Sequence, residues 1–416
     1  MVPRLGQAGG ARCSGQVGWP VVARGRAVGS TAVSVYLDHA ATSPTRPEVV
    51  EAVSAAMAQV GNPSSVHTAG RQARRRVEEA REDIADALGA GPSEVVFTSG
   101  GTESDNLAVK GIYRYAVDAD PRRRRLVVSA AEHSAVLDSV TALADREGAL
   151  ISWVDPGPDG AVKVDAVRAA VEDRAAGGPD SVAAVVAMWV NNETGIVQPV
   201  ADLGALAGEF GVPFVTDAVQ ALGKVPVDFA ASGAAVLAAT GHKIGGPVGT
   251  GLLLAGRDAP IQPISHGGGQ ERKLRSGTLA MPLIVGLARA VRLAQDARDL
   301  EAVRLVQLRD RLLAGVSAAI PGARATGSWQ PGDTLRRTAT HAHVLIPQVE
   351  GDSLLFLLDA AGIACSTGSA CHAGVPQPSH VLLAMGFSPE EARGALRLTL
   401  GWSSTAADVD ALLAAL

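Results

Sequence analysis

Thr240-Gly241-His242-Lys243 follows an apolar run and brings a hydroxyl, an imidazole and an amine to one point of the chain. A lysine so placed is either a solvated surface ammonium or, in a desolvated cleft, an amine of lowered basicity that can form a Schiff base. Asp217, with Gln220 three residues on, follows a second apolar run, and Glu132 with His133 a third. Ser99-Gly100-Gly101-Thr102 joins a strand-like stretch to a helix-like one. That turn would aim unpaired backbone N–H groups and a hydroxyl at one spot, which suits a phosphate. Pyridoxal phosphate asks for an amine to capture its aldehyde, a carboxylate for its pyridine nitrogen, a flat group against its ring and a phosphate cup. Lys243, Asp217, His133, and Thr102 with Thr240 are candidates for those roles. Each also has an ordinary use: Asp217 as a helix N-cap, His133 as a capping or exposed polar residue, Thr240 as a strand end.

Such residues meet only if the elements carrying them share an edge. From Val35 onward, short apolar runs alternate with amphipathic stretches, the pattern of a mainly parallel sheet covered by helices. Ala73, Val77, Ala80, Ile84 and Leu88 recur at helical spacing, so residues 73–88 read as a surface helix. Residues 94–98 read as a strand and 104–112 as the next helix. Further strands are expected at 126–129, 182–190, 212–216, 234–239 and 252–254, each almost wholly apolar as doubly covered strands are. Polar clusters follow their C-terminal ends: Glu132-His133, Asn191-Asn192-Glu193, Asp217 with Gln220, and residues 240–243. Ligands of open parallel sheets sit outside the carboxyl ends of the strands, so these clusters and the Gly100 turn are expected to converge. A helical pattern over 283–320 is too long to cross one domain without a bend or a passage between domains. Beyond it, runs at 343–346, 352–360, 363–365, 395–400 and 406–416 suggest a smaller mixed domain. The expected organisation is a leader at 1–33, a segment at 34–48 packing with the small domain, a large α/β domain at 49–297 and the small domain at 298–416.

The chain has 416 residues, 47% hydrophobic and 19% charged, which excludes both a staple-dependent miniprotein and a disordered chain. With 37 basic and 42 acidic residues the net charge is −5, so there is no overall basic field for DNA or anionic lipid. No apolar run approaches the roughly 18 residues a membrane span needs. Neither direct DNA binding nor a membrane is expected. Cys13, Cys365 and Cys371 are an odd, sparse set, which points to a reducing, cytoplasmic setting and is too few and too dispersed for an iron–sulfur cluster. No metal site is expected. Residues 1–33, rich in Gly, Arg and Ala and without a secretory apolar segment, read as a disordered leader. Arg71 with Arg74–Arg76 and Arg122–Arg125 read as solvated basic faces, with docking of an acidic partner as the alternative.

Seven runs in order carry a resemblance: residues 36–42 (YLDHAAT), 61–65 (GNPSS), 97–106 (FTSGGTESDN), 191–195 (NNETG), 241–243 (GHK), 275–278 (RSGT) and 368–371 (GSAC). Together they resemble the cysteine desulfurases, fold-type I pyridoxal phosphate enzymes of the class V aminotransferase group, from about Tyr36 to the C-terminus. The resemblance implies that Lys243 holds the cofactor covalently, Asp217 pairs with its pyridine nitrogen, Gln220 bonds its phenolate oxygen, and His133 stacks on its ring and assists proton transfer. Gly101, Thr102, Thr240 and His242 would bind the phosphate, with Thr278 supplied by the other subunit of a homodimer. Asn192 and Arg397 would receive the substrate carboxylate; a guanidinium fork suits that bidentate contact. Cys371 would be the nucleophile that takes sulfur from L-cysteine as a persulfide, leaving alanine.

Residues 366–379 contain Gly368, Gly374, Pro376 and Pro378 and lack periodicity, so they read as a loop that carries Cys371 between cofactor and acceptor. Neighbouring His372 is either a proton acceptor or an ordinary polar loop residue, and Cys365, after Ile363-Ala364, reads as a buried small hydrophobe. Three positions depart from the usual family pattern: Gly101, where alanine is frequent, Val248, and Trp402 after Leu-Gly. The implied acceptor is an iron–sulfur scaffold or a tRNA thiolation enzyme. A selenocysteine lyase or another class V lyase or transaminase is the alternative activity, and a non-catalytic scaffold docking sulfur-transfer partners the non-enzymatic one.

Overall fold

The computed structural model describes residues 35–368 and 377–416. The leader at 1–33, Cys13, Cys371 and His372 lie outside the described residues. After a two-residue strand β1 (Val35–Tyr36), the chain lays down β2 (Val95–Thr98), β3 (Arg125–Ser129), β4 (Leu150–Val154), β5 (Val182–Val186), β6 (Phe214–Asp217), β7 (Val236–Thr240) and β8 (Gly251–Ala255). Four more follow: β9 (Arg324–Ala325), β10 (His341–Leu345), β11 (Ile363–Ala364) and β12 (Ala395–Thr399). Strands β2 to β8 form one sheet in the order β2-β8-β7-β6-β5-β3-β4, parallel except that β8 runs against both its neighbours. The sheet is therefore mainly parallel, as expected, and its site-bearing strands point the same way.

Alternate residues of a strand face opposite sides, and this sheet is covered on both. Phe97, Leu237, Ala239, Leu252 and Leu254 pack with Ala73, Val77 and Ile84 of the Thr68–Ala87 helix and with Ile284, Leu287 and Val291 of the Met281–Ala319 helix. Val96, Val128, Ala238 and Leu253 pack with Leu107 and Ile112 of the Gly101–Ala119 helix and with Val136, Val140 and Leu143 of the Ser134–Glu147 helix. A third core lies under the antiparallel sheet β12-β10-β9, where Leu305, Leu312 and Val316 meet Val344, Leu396 and Leu398. The Met281–Ala319 helix thus serves two cores in 39 continuous residues, its first turns under the large sheet and its last under the small one. Strand β1 pairs in parallel with β11, Leu37 joins the third core, and Asp38 bridges Thr399.

Several elements differ from the sequence reading. The run at 182–190 leaves the sheet after Val186, although Ala187, Met188 and Val190 stay buried; its last residues line the site instead of a strand. Strand β4 at the sheet edge is absent from the expected set because its residues are mixed, with Leu150 and Trp153 about half exposed. Arg125 is not on a solvated basic face. It is fully buried at the start of β3, and its guanidinium donates to Ser181 and Ser152 hydroxyls and to the carbonyls of Ala170, Val171 and Gly178. Arg71 and Arg74–Arg76 are exposed. Cys365 is buried, and burial pushes its thiol up to about 12, which leaves it inert as a nucleophile. Among the described residues no helix is long and apolar enough to cross a membrane.

Candidate active site

A cavity of about 1040 Å3 opens at the carboxyl ends of the parallel strands. Its walls include Gly101, Thr102, His133, Asn192, Asp217, Gln220, Thr240, His242, Lys243 and Arg397, so ten of the expected residues come together. Thr278 is exposed and does not line it. Cys371 lies outside the described residues, but Ser366 and Gly368 on one side of it and Gln377, Pro378 and His380 on the other line the cavity.

Lys243 follows β7 through a one-turn 3-10 helix, His242–Ile244. Its Nζ donates to the carbonyls of Ala40 at 2.6 Å and Ala41 at 2.7 Å. Burial, helped by the charge of Arg397 and opposed by Asp38 and Asp217, lowers its pKa to about 8. Asp217 ends β6, accepts the Val219 N–H at 2.7 Å, and has its pKa raised by burial against the opposing pull of His133 and Lys243. Asp105 and Glu132 are buried beside it; burial raises both, Glu132 to about 8.

His133 caps the Ser134–Glu147 helix: its Nδ1 accepts the Ala135 N–H at 3.1 Å. That bond fixes the neutral ring with its hydrogen on Nε2. The ring is exposed at the cavity wall, yet enclosure by the protein lowers its pKa and keeps it neutral. The capping and cavity roles, alternatives in the sequence, coexist.

The Gly101–Ala119 helix starts on the cavity wall, and its first N–H groups have no intrahelical partner. A Cβ on Gly101 would come within 2.7 Å of Val219 Cγ2, so the glycine here accompanies the valine that fills the space. Thr240 donates its hydroxyl to the Thr250 carbonyl at 2.8 Å, and His242 Nδ1 meets Thr42 Oγ1 at 3.2 Å. Burial, with the charges of Lys243 and Lys224, lowers His242 to about 4, so it is neutral.

Arg397, on β12 of the small sheet, reaches the same cavity. Its guanidinium donates to Asp38 Oδ1 at 3.0 Å and to the Asn192 carbonyl at 3.2 Å. Residues 38–43 thus hold much of the site, since Ala40 also accepts the Gln220 Nε2 hydrogen at 2.8 Å. Sequence reasoning placed no functional residue there, because the Ala40 and Ala41 contacts are made by carbonyls and leave no side-chain signal. Glu193, expected in the converging Asn191-Asn192-Glu193 cluster but given no role, is a buried carboxylate of the cavity wall that accepts the Ser379 hydroxyl at 2.5 Å.

An amine of lowered basicity, a buried carboxylate, a helix N-terminus and a guanidinium around one cavity can bind a phosphorylated aldehyde and an amino acid together. The model of the class-V aminotransferase family matches residues 35–412. The chain is 53% identical over 378 residues to an IscS-like cysteine desulfurase of Mycobacterium tuberculosis (strain ATCC 25618 / H37Rv), covering 91% of this chain and 94% of that protein. Among solved structures, a NifS-like protein matches with a TM-score of 0.81 at 33% identity, over 91% of this chain and 97% of that one. A structure described as SspA in complex with cysteine matches with a TM-score of 0.72 at 32% identity, over 88% and 99%. With the family matched along nearly its whole folded length, this chain belongs to the class-V aminotransferases and, among them, to the cysteine desulfurases.

Proposed function

We propose that the protein is a pyridoxal phosphate-dependent cysteine desulfurase that converts L-cysteine to L-alanine and holds the sulfur on Cys371 as a persulfide. The observation that carries the reading is the convergence of Lys243, Asp217 and Arg397 on one cavity bordered by both flanks of the segment containing Cys371. The donor set fits the cofactor. Asp217 suits a pyridinium nitrogen, Gln220 a phenolate oxygen, and the start of the Gly101–Ala119 helix with Thr102 and His242 a phosphate. Thr240 would join that cup by turning its hydroxyl from Thr250.

Bound there, pyridoxal phosphate supplies the electron sink that stabilises negative charge at the substrate carbons. The chain does the rest. Arg397 and Asn192 orient the α-carboxylate, and Lys243 Nζ takes the Cα proton, which its lowered pKa permits near neutrality. Neutral His133 holds a hydrogen on Nε2 at the cavity wall. The Cys371 thiolate bonds to the substrate sulfur and the Cβ–S bond breaks with its electron pair left on carbon. Protonation there gives alanine, and the sulfur stays on Cys371. An acceptor protein of iron–sulfur assembly or tRNA thiolation then receives it. A cytoplasmic homodimer in which Thr278 serves the partner's phosphate cup completes the reading. The names of the relatives favour cysteine over selenocysteine as substrate.

The test is parallel quantification of alanine and sulfide from L-cysteine with a thiol reductant, for the cofactor-loaded protein and Cys371→Ala. Equal alanine and sulfide from the first and little from the second is the expected result. A mutant as active as the parent would overturn the role of Cys371 and return the lyase or transaminase reading.

A further inference from the structure

Gln220 has two hydrogen-bonding ends, and the protein has settled which faces which way. Its Oε1 accepts a hydrogen bond from Lys224 Nζ, four residues on, while its Nε2 donates to the Ala40 carbonyl at 2.8 Å. The reverse amide would leave two carbonyl oxygens facing each other at Ala40 and would give up the Lys224 Nζ–H to Gln220 Oε1 hydrogen bond. The Ala40 carbonyl also accepts from Lys243 Nζ at 2.6 Å. Lys224, Gln220, Ala40 and Lys243 therefore form one chain of hydrogen bonds along the cavity.

We propose that Lys224 is a positioning residue of the active site: its Nζ donates to the side-chain oxygen of Gln220 and so helps fix the amide nitrogen as the donor presented to the cofactor's phenolate oxygen. The inference rests on the pyridoxal phosphate reading above. Lys224 lines a second, small cavity of about 50 Å3 behind the site, with His39, Lys243, Glu301 and Trp402 on the same walls. It does not line the large cavity, so it reaches the cofactor only through Gln220. Burial, then the charges of Lys243 and Arg397, lower its pKa to about 7. His39, His242 and His341 also feel its charge, and each is lowered by burial first, so the lysine stands among neutral imidazoles and two cations. A lysine kept in that setting is costly, and its hydrogen bond to Gln220 is what it makes there.

The experiment is a pH titration of the visible band of the cofactor-loaded protein, read as its midpoint rather than as turnover. Lys224→Met removes one of the two hydrogen bonds that set the Gln220 amide and leaves only the Ala40 carbonyl to hold it. The donor to the phenolate oxygen is then held less firmly and the phenolate becomes more basic, so the midpoint moves upward by up to about one pH unit. Lys224→Arg, which keeps a donor, restores most of the shift. Gln220→Leu alone reproduces it, and adding Lys224→Met to Gln220→Leu moves the midpoint no further. Lys224→Ala replaces the methionine variant if that does not fold. An unmoved midpoint in a folded, loaded Lys224→Met protein overturns the proposal. So does an equal further shift in the Gln220→Leu background, which would make Lys224 a direct electrostatic influence instead. Failure of the underlying reading looks different: the wild-type band would be absent, or unchanged in Lys243→Ala.

Discussion

Lys243 shows how an ordinary residue type becomes a reactive one. Its amine sits on two backbone carbonyls near a guanidinium and away from bulk water, and its pKa falls to about 8. A solvated lysine at pH 8 is neutral in well under about 1% of molecules, whereas a pKa near 8 makes about half of them neutral. Because only the free amine attacks an aldehyde, the rate at which cofactor-free protein takes up pyridoxal phosphate is expected to rise through pH 8. It should level by about pH 9–10, followed as growth of the visible band. Continued rise through pH 10 would mean the amine is solvated. The lysine and its Gly241-His242 context are plain in the sequence, but Ala40 and Ala41 are about 200 positions away and contribute only carbonyl oxygens. That pairing had no residue-type signal.

The Thr68–Ala87 helix illustrates what fixes an element in place. Arg81 and Glu271 form a two-pronged pair, NH1 to Oε2 at 2.9 Å and NH2 to Oε1 at 2.8 Å, with side chains only 11% and 1% exposed. Glu271 Oε2 also accepts the Phe97 N–H, and Arg81 NH1 donates to the Val95 carbonyl, so the pair ties the helix and the 271–275 turn to β2. Glu271→Ala is expected to cost about 3 kcal/mol in urea unfolding, because it removes the buried two-pronged partner of Arg81 and leaves its guanidinium only the Glu78 carboxylate and the Val95 carbonyl. The double variant Arg81→Met/Glu271→Leu should lose less than either single change. If Glu271→Ala costs under about 1 kcal/mol, the pair is not holding the helix. The periodicity at 73–88 made the helix legible, while its ion pair with residue 271 depends on a packing that periodicity does not encode.

For the whole molecule, the site draws on both sheets: Lys243 and Asp217 come from the large one and Arg397 from the small one. The Met281–Ala319 helix packs in both cores. Met57, at the end of the Pro47–Met57 helix, and Val60 and Val66 after it are strongly exposed, and Thr278 is exposed and does not line the cavity of its own chain. A second copy covering such apolar surface is the expected arrangement. Light scattering should give twice the chain mass for the cofactor-loaded protein. A monomer would remove both the dimer and the partner role of Thr278.

Apolar runs were enough for the α/β class and most strands of the large sheet, because a strand's burial on both faces is written locally. The chemical types and spacing of Lys243, Asp217, His133, Thr102 and Thr240 picked out part of the cavity wall, while Gly101, His242 and Arg397 were expected there only from the family resemblance. Where the run at 182–190 leaves the sheet, that β4 exists at the edge, that Arg125 is buried, and that Arg397 pairs with Asp38 were settled by the fold. Each depends on which segments lie side by side, and contacts between residues 359 positions apart follow from sheet order and shared cores, which no local pattern specifies.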